Sequence, residues 1–335
     1  MRAGIEGDVR LDEISRVLYA NDASIYQMDA EGVVAPRNTK DVIHCVNTAK
    51  DNGFSLVPRG GGTSLAGQTV GASLHVDFSR HMRDIIELNT DERWVRVQPG
   101  VVLDELNAHL APHGLQFGPD VSTSSRANLG GMIGNNSCGA HSILYGKTID
   151  HVQELTVVLA DGEVARFAPI DEDQRRRRSS GNGIEATLHR SLPGLLSANQ
   201  EQIRTRFPHV MRRVSGYNLD ALMSPAPFDL SRLVVGSEGT LCAVTEAKLG
   251  LVERPRHSIV VACHFAELAE AMEANLVALT TSPASSELMD RLLLDQTKDQ
   301  LEYAPRRRFL VGDPEALLFV EYYGDSTERL RQLAD

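Results

Sequence analysis

The sequence has 335 residues, enough for more than one hydrophobic core, and its 42% apolar and 24% charged residues are the proportions of an ordinary globular protein. Acids outnumber Lys and Arg by 45 to 34, a formal charge of -11, which gives no electrostatic reason to expect nucleic acid or an anionic membrane as partner. Cys45, Cys138, Cys242 and Cys263 form no C-x-x-C pair, which excludes a zinc knuckle or a cluster-binding run and reads as four reduced thiols. With a charged N-terminus and no apolar run near the roughly 20 residues of a membrane helix, the expected location is the cytoplasm, without a transmembrane segment.

In chain order, a short strand is expected at Val33 to Pro36. A helix capped by Thr39 follows, placing Val42, Ile43, Val46 and Ala49 on one face and ending at Gly53. Strands at Phe54 to Val57 and Leu74 to Phe78 bracket the run Arg59-Gly-Gly-Gly-Thr-Ser-Leu-Ala-Gly-Gln68. A strand at Trp94 to Val97, a Pro99-Gly100 turn and a helix from Val102 to Leu110, stopped by Pro112 and Gly114, open a second unit. The glycine- and asparagine-rich tract from Gly118 to Gly146 comes next. Strands Leu155 to Leu159 and Glu163 to Phe167 then flank Asp161-Gly162, a preferred hairpin turn.

The run Arg175 to Arg178, preceded by three acids, is expected to face water. A strand at Leu233 to Val235 should lead into Gly236-Ser-Glu-Gly-Thr240, and Thr245, Ala247, Leu249 and Leu251 alternate as a half-buried strand does. After Pro255, a strand at Ile259 to Cys263, a helical stripe of Leu268, Met272, Leu276 and Leu279, and a strand at Leu317 to Tyr322 begin a third unit. Its sheet is expected to keep a partly uncovered apolar face unless more sequence follows, as in a fragment.

Three consecutive glycines after a strand let backbone N–H groups form a concave anion site, with Thr63, Ser64 and Gln68 as added donors. The loop lacks the lysine of a Walker motif, and Leu65 stands where the last glycine of G-x-G-x-x-G would fall. The 118–146 tract is too long for a plain connection, and its asparagine amides suit a ring edge that carries both carbonyl oxygens and ring nitrogens. Ser237 directly follows Gly236, so the nucleophile elbow is not met. His109 and His113 are separated by Pro112 and have no third ligand, so no metal is expected, and Trp94 reads as core.

Five ordered segments, Pro58 to Gln68, Gly118-Pro-Asp-Val-Ser122, Asn128-Leu-Gly-Gly131, Tyr145-Gly-Lys147 and Val235-Gly-Ser-Glu-Gly-Thr-Leu241, resemble the flavin-contact segments of the vanillyl-alcohol oxidase (PCMH-type) FAD-binding family. Within it, the stretch from about Asn21 to Val252 is most similar to FAD-linked D-2-hydroxyglutarate and D-lactate dehydrogenases, including bacterial forms with a fused iron–sulfur domain. The resemblance implies an α+β fold: FAD-binding subdomains over 1–78 and 79–252, then the start of an α+β cap domain over 253–335. It implies non-covalent FAD, with an iron–sulfur cluster only if a further C-terminal region carries one.

By the same resemblance, Arg59, Gly60, Gly61, Gly62, Thr63 and Ser64 wrap the diphosphate, with Gln68 close by and Pro99 and Gly100 at the border. Pro119, Asp120, Ser122, Asn128, Gly130, Gly131, Gly134, Asn135 and Gly139 line the isoalloxazine and ribityl portions. Glu238, Gly239 and Val244 hold the adenosine side and the ring edge. The implied chemistry is hydride transfer from a small 2-hydroxy acid such as D-2-hydroxyglutarate, D-lactate or glycolate, with electrons passed to a downstream acceptor. A sugar-lactone or alcohol oxidase on the same fold, or a flavin-binding part not catalytic alone, are the alternatives. Arg212, Arg213, Tyr217 and Asn218 are the candidate substrate contacts, while the histidines and acid that hold substrate in such relatives belong to a later cap segment.

Overall fold

The computed structural model describes residues 3–223 and 227–334. Its architecture is α+β, in two units: Met1–Cys138 with Lys147–Val252, and Gly139–Gly146 with Glu253–Asp335.

In the first unit, strands β1 (Asp8–Arg10), β2 (Gly32–Ala35), β3 (Leu56–Arg59) and β4 (Leu74–Asp77) form one sheet in the order β1-β2-β4-β3. Strands β2 and β3 run parallel to β4, and β1 is antiparallel to β2. Helix α1 (Thr39–Asn52) connects β2 to β3, packs Val42, Cys45 and Val46 against Val34, Leu74 and Val76, and also buries Ala49. Its cap is Asn38 rather than Thr39. The Asn38 side chain accepts from the Asp41 N–H at 3.0 Å, and its extended backbone leaves Thr39 inside the first turn. Gly53, at φ +70°, ends the helix as its sequence position predicts.

The other sheet of this unit contains β5 (Ile85–Asn89), β6 (Trp94–Val97), β7 (Val152–Val158), β8 (Val164–Phe167) and β9 (Ala243–Gly250), all antiparallel in the order β5-β6-β9-β7-β8. Gly162 takes φ +87° in the β7–β8 turn, and β9 alternates buried and half-buried residues along its whole length. Helix α2 (Leu103–Leu110) drives Leu103, Leu106 and Leu110 into the core with Val95, Val97, Leu155 and Leu249. Trp94 is buried, with the Lys248 ammonium 3.9 Å from its ring centroid. The arginine run lies on an exposed helix, Glu172–Ser179, where Arg175 pairs with Glu172 at 2.6 Å.

Two further expectations for this unit need correction. Leu233 to Val235 is not a strand; Ser231–Val234 is a single helical turn with Ser231, Leu233 and Val234 buried, and an all-apolar triplet has no period to reveal this. The glycine-rich tract is not loop throughout, because Leu129–Asn135 forms helix α3, whose Leu129, Met132 and Ile133 enter the core at helical spacing.

In the second unit, β10 (His257–Phe265), β11 (Ser285–Asp290) and β12 (Ala316–Gly324) make an antiparallel sheet with β12 central. Helix α4 (Leu268–Leu279) does not bury its predicted stripe. Leu268, Met272, Leu276 and Leu279 are exposed, while Ala271, Ala274 and Ala278 are covered, Ala274 and Ala278 against the Leu318, Val320 and Tyr322 cluster. Small side chains allow the helix backbone close to the sheet, and that contact determines which face turns inward. The segment 139–146 contributes His141, whose Nε2 lies 2.9 Å from Glu321 Oε2 and 2.6 Å from the Tyr323 hydroxyl, with the His141 and Tyr323 rings stacked at 5.3 Å. Among the described residues, no helix is long and apolar enough to cross a membrane.

Candidate functional site

One cleft in the first unit, with about 950 Å³ of empty volume including its open side, gathers four stretches of chain. They are Pro58 to Ser64 with Gln68 and Thr69 at the end of β3 and after it, Pro99 after β6, Ala127 to Ser137 around α3, and Val234 to Val244 before and within β9, with Phe78, Val121 and Thr123 completing the lining. Hydrogen bonds join the stretches. Asn135 Nδ2 donates to Ser64 Oγ at 3.1 Å, the Gly236 and Glu238 N–H groups donate to the Ile133 and Gly134 carbonyls at 2.9 Å, and the Gly130 N–H donates to the Pro99 carbonyl at 2.8 Å.

The glycines of this cleft serve two purposes. A Cβ on Gly61 would lie 2.3 Å from the Arg126 carbonyl, one on Gly60 would lie 2.8 Å from Asn128 Oδ1, and one on Gly130 would lie 2.6 Å from Pro99 Cβ. These three let the glycine loop and α3 close on the Arg126 backbone, the Asn128 side chain and Pro99. Gly131 has nothing within 4 Å of a Cβ position and Gly134 only Glu238 Cα at 3.8 Å, so both keep wall space free for a ligand. Glu238, a non-glycine residue at φ +53°, precedes Gly239 at φ +75°, so Glu238 carries backbone strain within the cleft lining.

The polar atoms here are arranged for a partner that the protein does not supply. Asn128 is almost fully buried, and its Nδ2 donates to the Gly100 carbonyl at 2.6 Å while its Oδ1 has no protein partner; the buried Gln68 Oε1 has none either. Unmet buried acceptors cost free energy, so a ligand carrying hydroxyl or N–H donors beside anionic oxygens suits the cleft. FAD has both, and these residues fit it: acceptors at Asn128 and Gln68, main-chain and hydroxyl donors along 60–64, and bare wall at Gly131 and Gly134. Burial pushes the Cys242 thiol up to about 12, so this cleft cysteine stays protonated and unreactive. Among the described residues no group of His, Cys, Asp and Glu is arranged to hold a metal ion.

The cleft lining includes Arg59, Gly60, Gly61, Gly62, Thr63, Ser64, Gln68, Pro99, Asn128, Gly130, Gly131, Gly134, Asn135, Glu238, Gly239 and Val244. Gly100, Pro119, Asp120, Ser122 and Gly139 are outside it. A Cβ on Gly100 would lie 2.1 Å from the Phe78 carbonyl, so that glycine serves a packed turn, and Pro119 is buried while Ser122 is exposed. Gly139 falls in the second unit, where its N–H and carbonyl both bond to Ser142. The four substrate candidates are also absent from the lining. Arg213 pairs with Asp220 at 2.6 Å, Asn218 is buried and donates to the Val235 carbonyl at 2.7 Å, Tyr217 bonds to Thr240 at 2.8 Å, and Arg212 is exposed. Sequence reasoning missed Thr69, Thr123, Ser137, Ser237 and Cys242. Ser237 lies inside a recognised segment, and Thr69 directly follows Gln68.

Fold and cleft together define a flavoprotein of the FAD-linked oxidase class. Residues 30–168 match the family model of the FAD binding domain and residues 254–335 that of the FAD linked oxidases, C-terminal domain; the chain belongs to the FAD-linked oxidases. It is 36% identical to the D-2-hydroxyglutarate dehydrogenase of Pseudomonas putida over 96% of this chain and 33% of that protein, and 33% identical to the Escherichia coli enzyme of that name over 96% and 32%. The glycolate oxidase subunit GlcD of Bacillus subtilis is 29% identical over 92% of this chain and 55% of that protein. The chain thus spans about a third of the length of the D-2-hydroxyglutarate dehydrogenases it matches. A solved structure of alkyldihydroxyacetonephosphate synthase shares the fold at TM-score 0.68 and 17% identity, over 97% of this chain and 54% of that one.

Proposed function

We propose that this chain is the flavin-holding part of a cytoplasmic dehydrogenase for small D-2-hydroxy acids, D-2-hydroxyglutarate foremost, passing electrons to a separate acceptor. The observation that carries the substrate class is the match of 96% of the chain to a D-2-hydroxyglutarate dehydrogenase, with the glycine loop and α3 facing one cleft. When bound, FAD supplies a two-electron acceptor for the hydride on the substrate's carbinol carbon. The loop 60–64 holds the diphosphate through N–H and hydroxyl donors. Asn128 and Gln68 accept from cofactor hydroxyl or N–H groups, Gly131 and Gly134 leave room beside α3, and Val244 with Cys242 gives a dry wall. The free state of all four cysteines suits a reducing compartment.

A second reading, a flavin-holding module without turnover of its own, is favoured by the position of Arg212, Arg213, Tyr217 and Asn218 outside the cleft lining. The test is anaerobic. The purified chain should be yellow, and D-2-hydroxyglutarate should bleach it, with D-lactate and glycolate as comparisons. Bleaching only in a longer gene product selects the module reading. Oxygen uptake with a sugar lactone would replace the dehydrogenase reading by an oxidase, and a colourless protein that takes up no added FAD would defeat all of these.

A further inference from the structure

Arg59 ends β3 and begins the glycine loop, yet its guanidinium turns back from that loop. Nη1 donates to the Tyr19 carbonyl at 3.0 Å and the Thr69 carbonyl at 3.1 Å, and Nη2 donates to the Asn21 carbonyl at 2.6 Å. The guanidinium lies 5.0 Å from the Tyr19 ring centroid, and the Tyr19 hydroxyl donates to the Asp77 carboxylate at the end of β4. Around the same point, the Ala23 N–H donates to the Gly62 carbonyl at 3.0 Å and Thr69 Oγ1 donates to Asp22 at 3.1 Å. One side chain thus draws residue 59, residue 69 and the segment 19–21 together.

This has a directional effect on the loop. In a trans peptide the carbonyl and the following N–H point opposite ways, so sending the Gly62 carbonyl to Ala23 turns the Thr63 N–H away from the 19–23 segment. Gly62, at φ +65°, passes directly over the guanidinium, and a Cβ there would lie 2.8 Å from Nη2. The charge is equally particular. Three carbonyl dipoles face the guanidinium, but no described carboxylate forms an ion pair with it; Asp22 and Asp77 act only at longer range. Arginine stays ionised even so, which leaves a half-buried positive charge behind a loop built of backbone donors.

We propose that Arg59 is a positioning residue for the cofactor rather than a ligand of it: its three carbonyl contacts hold the glycine loop in anion-receiving shape, and its unpaired charge attracts the diphosphate from behind the loop. This rests on the cleft being the FAD site. It separates Arg59 from Gly60 to Ser64, with which the motif groups it.

The test compares FAD dissociation constants of the wild type, Arg59→Lys and Arg59→Met, from flavin fluorescence quenching over a range of ionic strength, below the thermal midpoint of each apoprotein. Lysine keeps the charge, but a single ammonium cannot replace the guanidinium fork across three carbonyls. Both variants are expected to bind FAD at least about tenfold more weakly. Arg59→Lys should retain the wild-type dependence on salt, and Arg59→Met should show a shallower one. Wild-type affinity in Arg59→Lys would overturn the loop-holding role, and a wild-type salt dependence in Arg59→Met would overturn the role of the charge. Should Arg59→Met not fold, Gly62→Ala displaces Nη2 while keeping the charge; weakened FAD binding with unchanged salt dependence is expected, and unchanged affinity counts against the proposal. A wild-type protein that binds no FAD defeats the cofactor reading itself, whereas wild-type binding with indifferent variants defeats only this inference.

Discussion

Asn135 and Ser64, 71 residues apart in sequence, meet through a 3.1 Å hydrogen bond from Nδ2 to Oγ. The bond fixes the end of α3 against the glycine loop, so the two stretches that would share a cofactor are braced before any ligand arrives. Asn135→Ala removes one partly buried hydrogen bond, worth about 0.5–1.5 kcal/mol. FAD affinity in a fluorescence titration should fall by about two- to tenfold, with a small change in thermal midpoint. Unaltered affinity would remove the brace from the account.

Two glycines of the same cleft should respond oppositely to added side chains. Gly131→Val projects into open cleft, so the apoprotein should unfold in urea within about 1 kcal/mol of the wild type yet purify without flavin. Gly61→Ala forces a Cβ against the Arg126 carbonyl, 2.3 Å away, and should destabilise the apoprotein by about 1–3 kcal/mol. A flavin-loaded Gly131→Val protein would show that α3 does not border the cofactor.

Cys242 is in the cleft wall, where burial keeps it a thiol with its pKa pushed up to about 12. A neutral thiol is a poor nucleophile, so the native protein should resist alkylation at this position at pH 8. Acid precipitation should release all flavin into the supernatant. A pellet that stays yellow after washing would mean a covalent bond.

On the five-stranded sheet, Glu154 accepts from Arg96 at 2.7 Å and pairs with Arg166. Burial pushes its carboxyl up, but the two arginines outweigh that and hold it below its ordinary value of 4.5. A depressed acid contributes stability above its unfolded pKa and loses it as pH falls through the folded one. Glu154→Gln should therefore cost about 1–3 kcal/mol at neutral pH, with the difference from wild type shrinking below pH 4.5. A constant difference between pH 7 and pH 3 would contradict the assignment.

The parts legible in the sequence were those with strong local chemistry. Asp161-Gly162 specified its hairpin, the alternation of Thr245, Ala247 and Leu249 specified β9, and Gly53 ended α1. Elsewhere tertiary packing chose between local options. Asn38 displaced Thr39 as cap because its backbone is extended there, and α3 formed across Gly130, Gly131 and Gly134 because Leu129, Met132 and Ile133 had a core to enter. In α4 the alanines won the inward face over the leucines, which hydrophobicity alone would have sent inside. Pairwise packing likewise decided the site. Gly100 is a glycine for the sake of the Phe78 carbonyl, and nothing in its motif distinguishes that from a cofactor contact.

The second unit is assembled from two separate pieces of chain, with the eight-residue loan Gly139–Gly146 taken out of the middle of the first. A gene cut at Glu253 would deliver the three-stranded sheet but leave Glu321 and Tyr323 without the imidazole of His141. Shuffling this module between proteins therefore demands two grafts, and a swap made only at the obvious linker would import an incomplete set of partners.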